Sequence, residues 1–398
     1  IDELANPVTA LAAQRPARWL RLEKAVAIPD RMVLDFRRTA FGVTAAFGMR
    51  EILGYVPVEP DGSVRVKVPA NIPFTFSVVD DRGRRIASRH DAWLQLVPGE
   101  TRVCAGCHDS MSSLPHGRND SGVPVLHAGS AGGAPYPNTQ PSLLANSGET
   151  MAETRTRLDA DALAPAMDML YSDVWTSPLV RVPDADAVFR YADLATAAPA
   201  SADCQASWAA LCRGVIHYET HIHPLWSVDR RLFAGDGVTV LADHTCTTCH
   251  NSRTAMGMPQ VPAAQLDLRD GMSGEVADHM AAYRELLATD AQQEIVDGTL
   301  VDKLVQAVDA SGSLVFETDA SGNLFLDSNG QPIPVMVTVP LMPSLVAGNA
   351  RGSQRFFLSF AAGGNHAGWL TDAELRLLAE WVDIGAQYFN DPFAAPLN

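Results

Sequence analysis

The stretch "LADHTCTTCHNS", residues 241–252, places Cys246, Cys249 and His250 in the order C-x-x-C-H. Two thiols three positions apart on a tight helical turn can each reach one vinyl group of a haem. The imidazole that follows then lies where it can ligate the iron, and C-x-x-C-H is the attachment signature of c-type haem. The segment therefore predicts a covalently held haem with His250 as an iron ligand.

The same order occurs once more, in "TRVCAGCHDS" at residues 101–110. This copy contains Cys104, Cys107 and His108. Two matches to so restrictive a pattern are not expected by chance in a chain with 6 Cys and 11 His. The sequence therefore predicts two haems c, the second with His108 as its iron ligand.

A zinc site and a redox dithiol are the alternatives for both motifs. A zinc ribbon pairs its C-x-x-C motifs across about 15–20 residues, whereas more than a hundred residues separate these two. A thioredoxin-like dithiol uses a single C-x-x-C beside a βαβ pattern and does not need the trailing His. The haem interpretation accounts for all three residue types in both copies.

Composition excludes some other classes of function. The chain has 398 residues, 47% of them hydrophobic and 19% charged, which is typical of a globular protein. Its net charge of −16 disfavours nucleic acid and anionic lipid as partners. No apolar run approaches the ~18 residues of a spanning helix, so we expect no membrane span. The sequence starts at Ile1 rather than Met, and we expect it to be a mature form or part of a longer chain.

The remaining cysteines, Cys204 and Cys212, lie close together in "SADCQASWAALCRG". Their spacing favours a short-loop disulfide, with two buried thiols as the alternative. A disulfide implies an oxidising compartment, as does haem c, so we expect a periplasmic or extracellular location.

The pattern along the chain predicts an α+β protein in three parts. Residues 1–103 read as a β-sandwich-like domain, because Val64, Val66 and Val68 alternate in "DGSVRVKVPANIPFTFSVV" and Phe74, Phe76 and Val78 follow. Residues 104–203 are rich in Gly, Pro, Ser and Asn and read as a loop-rich region around the first haem.

Residues 204–398 read as a mainly helical, cytochrome c-like domain that carries the second haem. The segment 273–290 has helical periodicity, and "LTDAELRLLAEWVDIGAQYF" is the clearest helix, because Thr371 and Glu374 form a capping box. Between these helices, residues 313–339 read as a β-hairpin insertion. We find no internal repeat other than the two haem motifs.

A haem iron has a sixth coordination position besides that of its motif histidine. A second His or a Met there gives an electron-transfer centre, whereas an open position permits ligand binding. His366 is the preferred candidate for the second haem, because it lies in the glycine-rich "GGNHAGWLTD". The other candidate histidines flank the two motifs in sequence: His90, His116, His221 and His223. Met342 is a further alternative.

The segments around both motifs resemble the hydrazine synthase alpha subunit-like family. "MREILGYVPVEPDGSVRVKVPANIPFTFSVVDDRGRRI" and "WLQLVPGETRVCAGCHDS" are similar to its middle domain. "IHYETHIHPLW", "TCTTCHNS" and "LTDAELRLLAEWVDIGAQYFNDP" are similar to its C-terminal cytochrome domain. The resemblance implies a catalytic first haem with a tyrosine ligand soon after the motif, and an electron-relaying second haem with two His ligands.

One departure from the family pattern bears on function. The residues after His108 are Asp109, Ser110, Met111, Ser112 and Ser113, so the expected tyrosine is absent. This absence argues against hydrazine chemistry.

We therefore expect a dihaem electron-transfer protein that works with redox partner proteins, among them other multihaem cytochromes. The alternatives are a haem enzyme acting on a small nitrogen or oxygen species at the first haem, and a subunit of a larger cytochrome assembly or filament.

Overall fold

A computed structural model describes residues 15–90, 92–104, 130, 133, 135–136 and 138–398. It divides into two compact units. The first contains the described residues up to Leu225 together with Val346–Asn398, and the second is Trp226–Leu345. These bounds differ from those of the three expected domains, and the three-domain division stays a prediction.

The described residues mix short strands and short helices, as the α+β prediction requires. The strands are β1 (Trp19–Ala25), β2 (Arg50–Pro57), β3 (Phe74–Val79), β4 (Met169–Tyr171), β5 (Ala187–Phe189), β6 (Arg231–Phe233), β7 (Val240–Asp243), β8 (Asp290–Ala291), β9 (Gln293–Val296), β10 (Thr299–Asp302), β11 (Leu304–Gln306), β12 (Met336–Thr338) and β13 (Pro340–Leu341). The α-helices are α1 (Met151–Leu158), α2 (Ala202–Ala206), α3 (Cys246–Cys249), α4 (Ala281–Leu287), α5 (Gln354–Ser359) and α6 (Asp372–Ile384).

The first unit is organised around an antiparallel sheet with strand order β2-β1-β3. Leu20 of β1 pairs with Val56 and Val78, which places these apolar side chains on one face. They belong to a buried cluster with Leu22 and Phe74. Burial of this face provides the hydrophobic core of the β-rich region.

The opposite face of the sheet is polar and nevertheless buried. Arg21 and Glu23 alternate with the leucines of β1, and neither is exposed to solvent. Helix α6 covers this face: Tyr55 Oη donates to Glu380 Oε1 at 2.7 Å, and Arg21 Nη2 lies 3.4 Å from Asp383 Oδ2. The charges are tolerated because carboxylates and guanidinium groups face each other there.

The β-rich character of the N-terminal region is confirmed, but the sandwich prediction is wrong for its described residues. In 15–90 and 92–103 the named strands form one three-stranded sheet. Val64, Val66 and Val68 lie outside any strand and pack against the apolar cluster as an extended cover. Their alternation reflects this packing, and a helix rather than a second sheet covers the other face.

The C-terminal helix α6 forms where the capping box predicts. The Thr371 hydroxyl accepts from Glu374 N, and the Glu374 side chain accepts from Thr371 N. Leu378 and Val382 are fully buried, as the predicted apolar face requires. The charged residues of the helix are buried too, because the helix packs on the polar face of the sheet within the first unit.

The expectation that residues 204–398 are mainly helical is wrong. The described residues of that range contain strands β6–β13, and α4 has only seven residues. Ladders β8–β13, β9–β10 and β11–β12 form a hairpin excursion that begins before the predicted residue 313. The cytochrome c-like character of this range stays a prediction.

The hairpin excursion contains a turn repeat that the sequence analysis missed. The pattern D-x-x-G occurs at 309–312, 319–322 and 327–330, and each Asp accepts backbone N–H bonds from residues two and four positions on. Each glycine has φ near 80°. The signal was the Asp-Gly spacing, which is typical of tight β-turns.

Cys204 and Cys212 are joined by a disulfide with a Cα–Cα distance of 5.5 Å. In the part of the chain that the structure describes, we find no helix long and apolar enough to cross a bilayer.

Candidate functional site

The second C-x-x-C-H motif begins on a single helical turn, α3, directly after the β6–β7 hairpin. Asp243 holds the start of this turn, since its Oδ1 accepts from Thr245 N at 2.9 Å and its Oδ2 from Thr248 Oγ1 at 3.1 Å. The backbone N–H of His250 closes the turn on Cys246 O at 2.9 Å. The helical turn places both cysteines and the histidine of the motif within one short segment.

Backbone groups of the segment that follows the motif hold His250 in place. Its Nδ1 lies 3.2 Å from Leu266 O, and its carbonyl accepts from Leu268 N at 2.9 Å. A carbonyl accepts only, so the ring proton is on Nδ1 and the lone pair is on Nε2. A histidine that ligates a metal through one ring nitrogen commonly donates the N–H of the other to a backbone carbonyl.

The surface around the motif is apolar and exposed. Met256 is 88% exposed and Met258 59%, and both follow the motif, while Leu241 precedes it with 68% exposed. A covalent haem requires two thiols on one turn, an imidazole with its lone pair on Nε2, and apolar groups for its faces. The residues present fit that group.

The first motif is described only in part. Cys104 is exposed, whereas Cys107, His108 and the candidate ligand His116 lie outside the described residues. His90, the other candidate near this motif, stacks on Phe76 with ring centres 4.9 Å apart. Its Nδ1 lies 2.9 Å from Ala92 O, which also leaves the lone pair on Nε2.

The two histidines before the second motif are buried in the first unit. The Nδ1 of His221 accepts the backbone N–H of His217 at 2.9 Å, so its proton is on Nε2. Burial lowers the pKa of His221 to about 4, which keeps the ring neutral. His223 Nδ1 lies 3.5 Å from Tyr218 Oη. His221 therefore differs from His250 and His90 in its tautomer.

His366, the preferred distal candidate, lies in the first unit after α5. Its backbone N–H donates to Ser359 O at 2.8 Å, and its ring centre is 4.5 Å from that of Trp369. Gly364 permits this turn, because a Cβ at that position would lie 2.3 Å from Ser359 O. Burial lowers the pKa of His366 below its usual value, which favours the neutral imidazole that metals require.

In the described ranges, no group of three or more His, Cys, Asp or Glu side chains is arranged to hold a metal ion. A haem iron brings four ligands of its own, so a c-type site needs no such group.

Two buried polar groups were missed by the sequence analysis. Arg376 and Glu380, four positions apart in α6, form an ion pair at 2.6 Å with Tyr55 and Tyr191 bound to the same carboxylate. The i,i+4 spacing was their only signal, and it is more typical of an exposed helix face. Glu285 of α4 is the second, and its environment could not be read from sequence.

Glu285 should make stability depend on pH. Burial, with Asp290 and Asp267 nearby, raises the pKa of Glu285 to about 8. Because the pKa of Glu285 is higher in the folded state than in the unfolded state, its neutral carboxyl group stabilises the fold. This contribution is complete below the unfolded-state pKa and is lost as pH rises through about 8. Glu285→Gln keeps a neutral side chain, so its urea midpoint should fall less than that of the wild type between pH 5 and pH 9.

Glu275→Gln is the matched control, because Glu275 lies in the same unit and its side chain is 69% exposed beside Arg284. It should keep the pH profile of the wild type. An unchanged decline in Glu285→Gln would contradict the assignment.

Comparisons with known proteins agree with the resemblance around the first motif. Residues 23–109 match the family described as the hydrazine synthase alpha subunit middle domain. These residues are therefore similar to that middle domain. A curated relative, hydrazine synthase subunit alpha of Kuenenia stuttgartiensis, is 33% identical over 76 residues.

That match covers 19% of this chain and 9% of the relative, so the shared segment is far shorter than the whole protein. A solved structure of Kuenenia stuttgartiensis hydrazine synthase aligns with 96% of this chain and 40% of its own, at 15% identity and a TM-score of 0.45. The similarity to the family rests on residues 23–109 and not on this alignment.

Proposed function

We propose that the chain is a dihaem c-type cytochrome that transfers electrons outside the cytoplasm. The observation that carries this proposal is the second motif, where both cysteines share one turn and the Nδ1 of His250 lies 3.2 Å from Leu266 O. A haem held there supplies an iron that changes by one electron. The chain's own residues hold it: Cys246 and Cys249 through thioethers, and His250 through Nε2.

Cys104, Cys107 and His108 would hold the first haem in the same way, and His366 would be the second ligand of the iron at His250. His366 is preferred because it lies in a glycine-rich turn, where the backbone can approach a haem ring closely, whereas His221 has its proton on Nε2. Redox proteins, among them other multihaem cytochromes, are the proposed partners. The Cys204–Cys212 disulfide supports a periplasmic or extracellular location.

A second candidate function is a haem enzyme that acts on a small nitrogen or oxygen species at the first haem. The match of residues 23–109 to the hydrazine synthase alpha middle domain favours it. The absence of a tyrosine at positions 109–113 argues against hydrazine chemistry itself.

The electronic spectrum of the oxidised protein, recorded with and without cyanide, separates the two candidates. Two six-coordinate irons give only low-spin bands that cyanide changes little, which supports electron transfer. High-spin bands that cyanide abolishes indicate an open iron and support the enzyme. A colourless protein of unmodified mass would contradict both candidates.

His366→Ala should open the iron at the second motif. Removing the imidazole leaves the sixth position to water, so part of the low-spin signal should convert to high spin. Cyanide should then restore low-spin bands. If the spectrum of His366→Ala equals that of the wild type, then another side chain holds the position, with His223 and Met342 as the next variants.

A further inference from the structure

Four guanidinium groups gather at the polar face of the sheet in the first unit. Arg21 Nε lies 3.1 Å from Glu23 Oε1, and Arg89 Nε lies 2.9 Å from Glu23 Oε2. Arg50 Nη1 lies 3.5 Å from the same Oε2. The side chain of Arg85 donates to carbonyl oxygens beside Asp383, whose Oδ2 accepts the backbone N–H of Arg85 at 2.7 Å.

The positive charges of this cluster exceed the negative ones. Among the described residues, four arginines face two carboxylates, those of Glu23 and Asp383. The C-terminal end of α6 adds about half a negative charge, since Arg89 Nη2 donates to Asp383 O at 2.6 Å. Between one and two positive charges remain, in a chain whose net charge is −16.

Several guanidinium N–H groups of the cluster also lack a hydrogen bond. Arg50 Nη1 and Arg89 Nε lie near Glu23 Oε2, but the contacts lack hydrogen-bond geometry, and the buried Arg85 Nε makes no hydrogen bond either. Burial, and after it the neighbouring Arg89, lowers the pKa of Arg50 to about 10. Buried donors and unbalanced charge are both costly unless something compensates them.

Part of the cluster reaches solvent beside Trp93. The guanidinium carbon of Arg50 lies 4.7 Å from the ring centre of Trp93, and Trp93 is 41% exposed. The side chains of Arg50 and Arg89 keep 12% and 10% of their surface open. A ligand can approach these two arginines beside the tryptophan.

We propose that Arg50 and Arg89 form a binding site for a dianion with carboxylate or oxyanion oxygens. Guanidinium forks match such oxygens in pairs, and a dianion restores the missing charge. The oxygens can come from a free oxyanion such as sulfate or phosphate, or from the two carboxylates of a bound haem.

The test is the thermal unfolding midpoint of the full chain as isolated, in sodium sulfate against sodium chloride of equal ionic strength. A specific site gives a saturating rise, because ligand stabilises the folded state in proportion to RT ln(1 + [L]/Kd). Arg50→Gln should weaken the apparent affinity by about tenfold or more. Arg50→Lys keeps the charge but loses the fork, so it should retain only part of the response.

Arg157→Gln is the matched control, since Arg157 is a solvent-facing arginine of the same unit that pairs with Glu149. It should respond to sulfate as the wild type does. Circular dichroism of each variant verifies that the fold is retained, and Arg50→Lys keeps the test valid if Arg50→Gln does not fold.

The variant Cys104→Ala/Cys107→Ala, which cannot attach the first haem, separates the two sources of the dianion. If the midpoint of both this variant and the wild type rises with sulfate and saturates, the site binds a free oxyanion. If the rise saturates in the variant alone, haem carboxylates already fill the site of the wild type. A linear sulfate effect that is equal in the wild type, the haem-lacking variant and Arg50→Gln is general salting-out and overturns the proposal.

Discussion

Replacing Cys246 and Cys249 by Ala should reduce the covalently bound haem from two groups per chain to one. Each thioether needs a cysteine sulfur, and an alanine methyl group cannot form that bond. His250 alone would leave only a coordinate bond between protein and iron, which denaturation breaks. Mass spectrometry of the denatured protein and its alkaline pyridine spectrum both report the number of attached haems.

The reciprocal variant, Cys104→Ala/Cys107→Ala, is the control for this prediction. It should lose the other haem and keep the one at His250, because more than a hundred residues separate the motifs. Loss of both haems in either double variant would contradict two independent attachment sites. Retention of both haems in Cys246→Ala/Cys249→Ala would contradict the attachment itself.

Glu380→Gln should lower the free energy of unfolding by about 3–5 kcal/mol, the usual cost of breaking a buried ion pair. Glu380 accepts from Arg376 Nε at 2.6 Å and from Tyr55 Oη at 2.7 Å through one oxygen, and from Tyr191 Oη at 2.8 Å through the other. Glutamine removes the charge that balances buried Arg376 and puts an NH₂ group opposite donors. Urea unfolding followed by tryptophan fluorescence measures the loss.

Asp229→Asn is the control for this prediction, because Asp229 pairs with Arg231 where both side chains are about half exposed. Exposed ion pairs contribute little, so its unfolding curve should match that of the wild type. The double variant Arg376→Met/Glu380→Leu should be more stable than Glu380→Gln, because it also removes the buried guanidinium that Glu380→Gln leaves without this carboxylate partner. A Glu380→Gln curve that matches the wild type would show that the cluster adds nothing to stability.

The local chemistry of the second motif could be predicted from its spacing. Cys246, Cys249 and His250 needed only a helical turn, and α3 provides it. The identity of the group behind His250 could not be predicted, because Leu266 is sixteen residues away and its carbonyl leaves no mark in the sequence. The tautomer of His221 depends in the same way on a backbone group, the N–H of His217.

The capping box of α6 is a local pattern, and the helix begins where the sequence predicts it. Which element covers the polar face of the sheet could not be predicted from a local pattern. Arg21 and Glu23 are charged residues of β1, yet both are fully buried under α6, more than 340 residues later in the chain.

The sequence by itself determined which residues can carry haem, which end of α6 is capped, and which face of the sheet is apolar. Each of these depends on contacts within a few positions of the chain. Only the tertiary structure decided that α6 covers the charged face and that four arginines meet two carboxylates there. That outcome depends on pairing between distant segments, and the free energy of such pairing comes from partners that no short stretch of sequence contains.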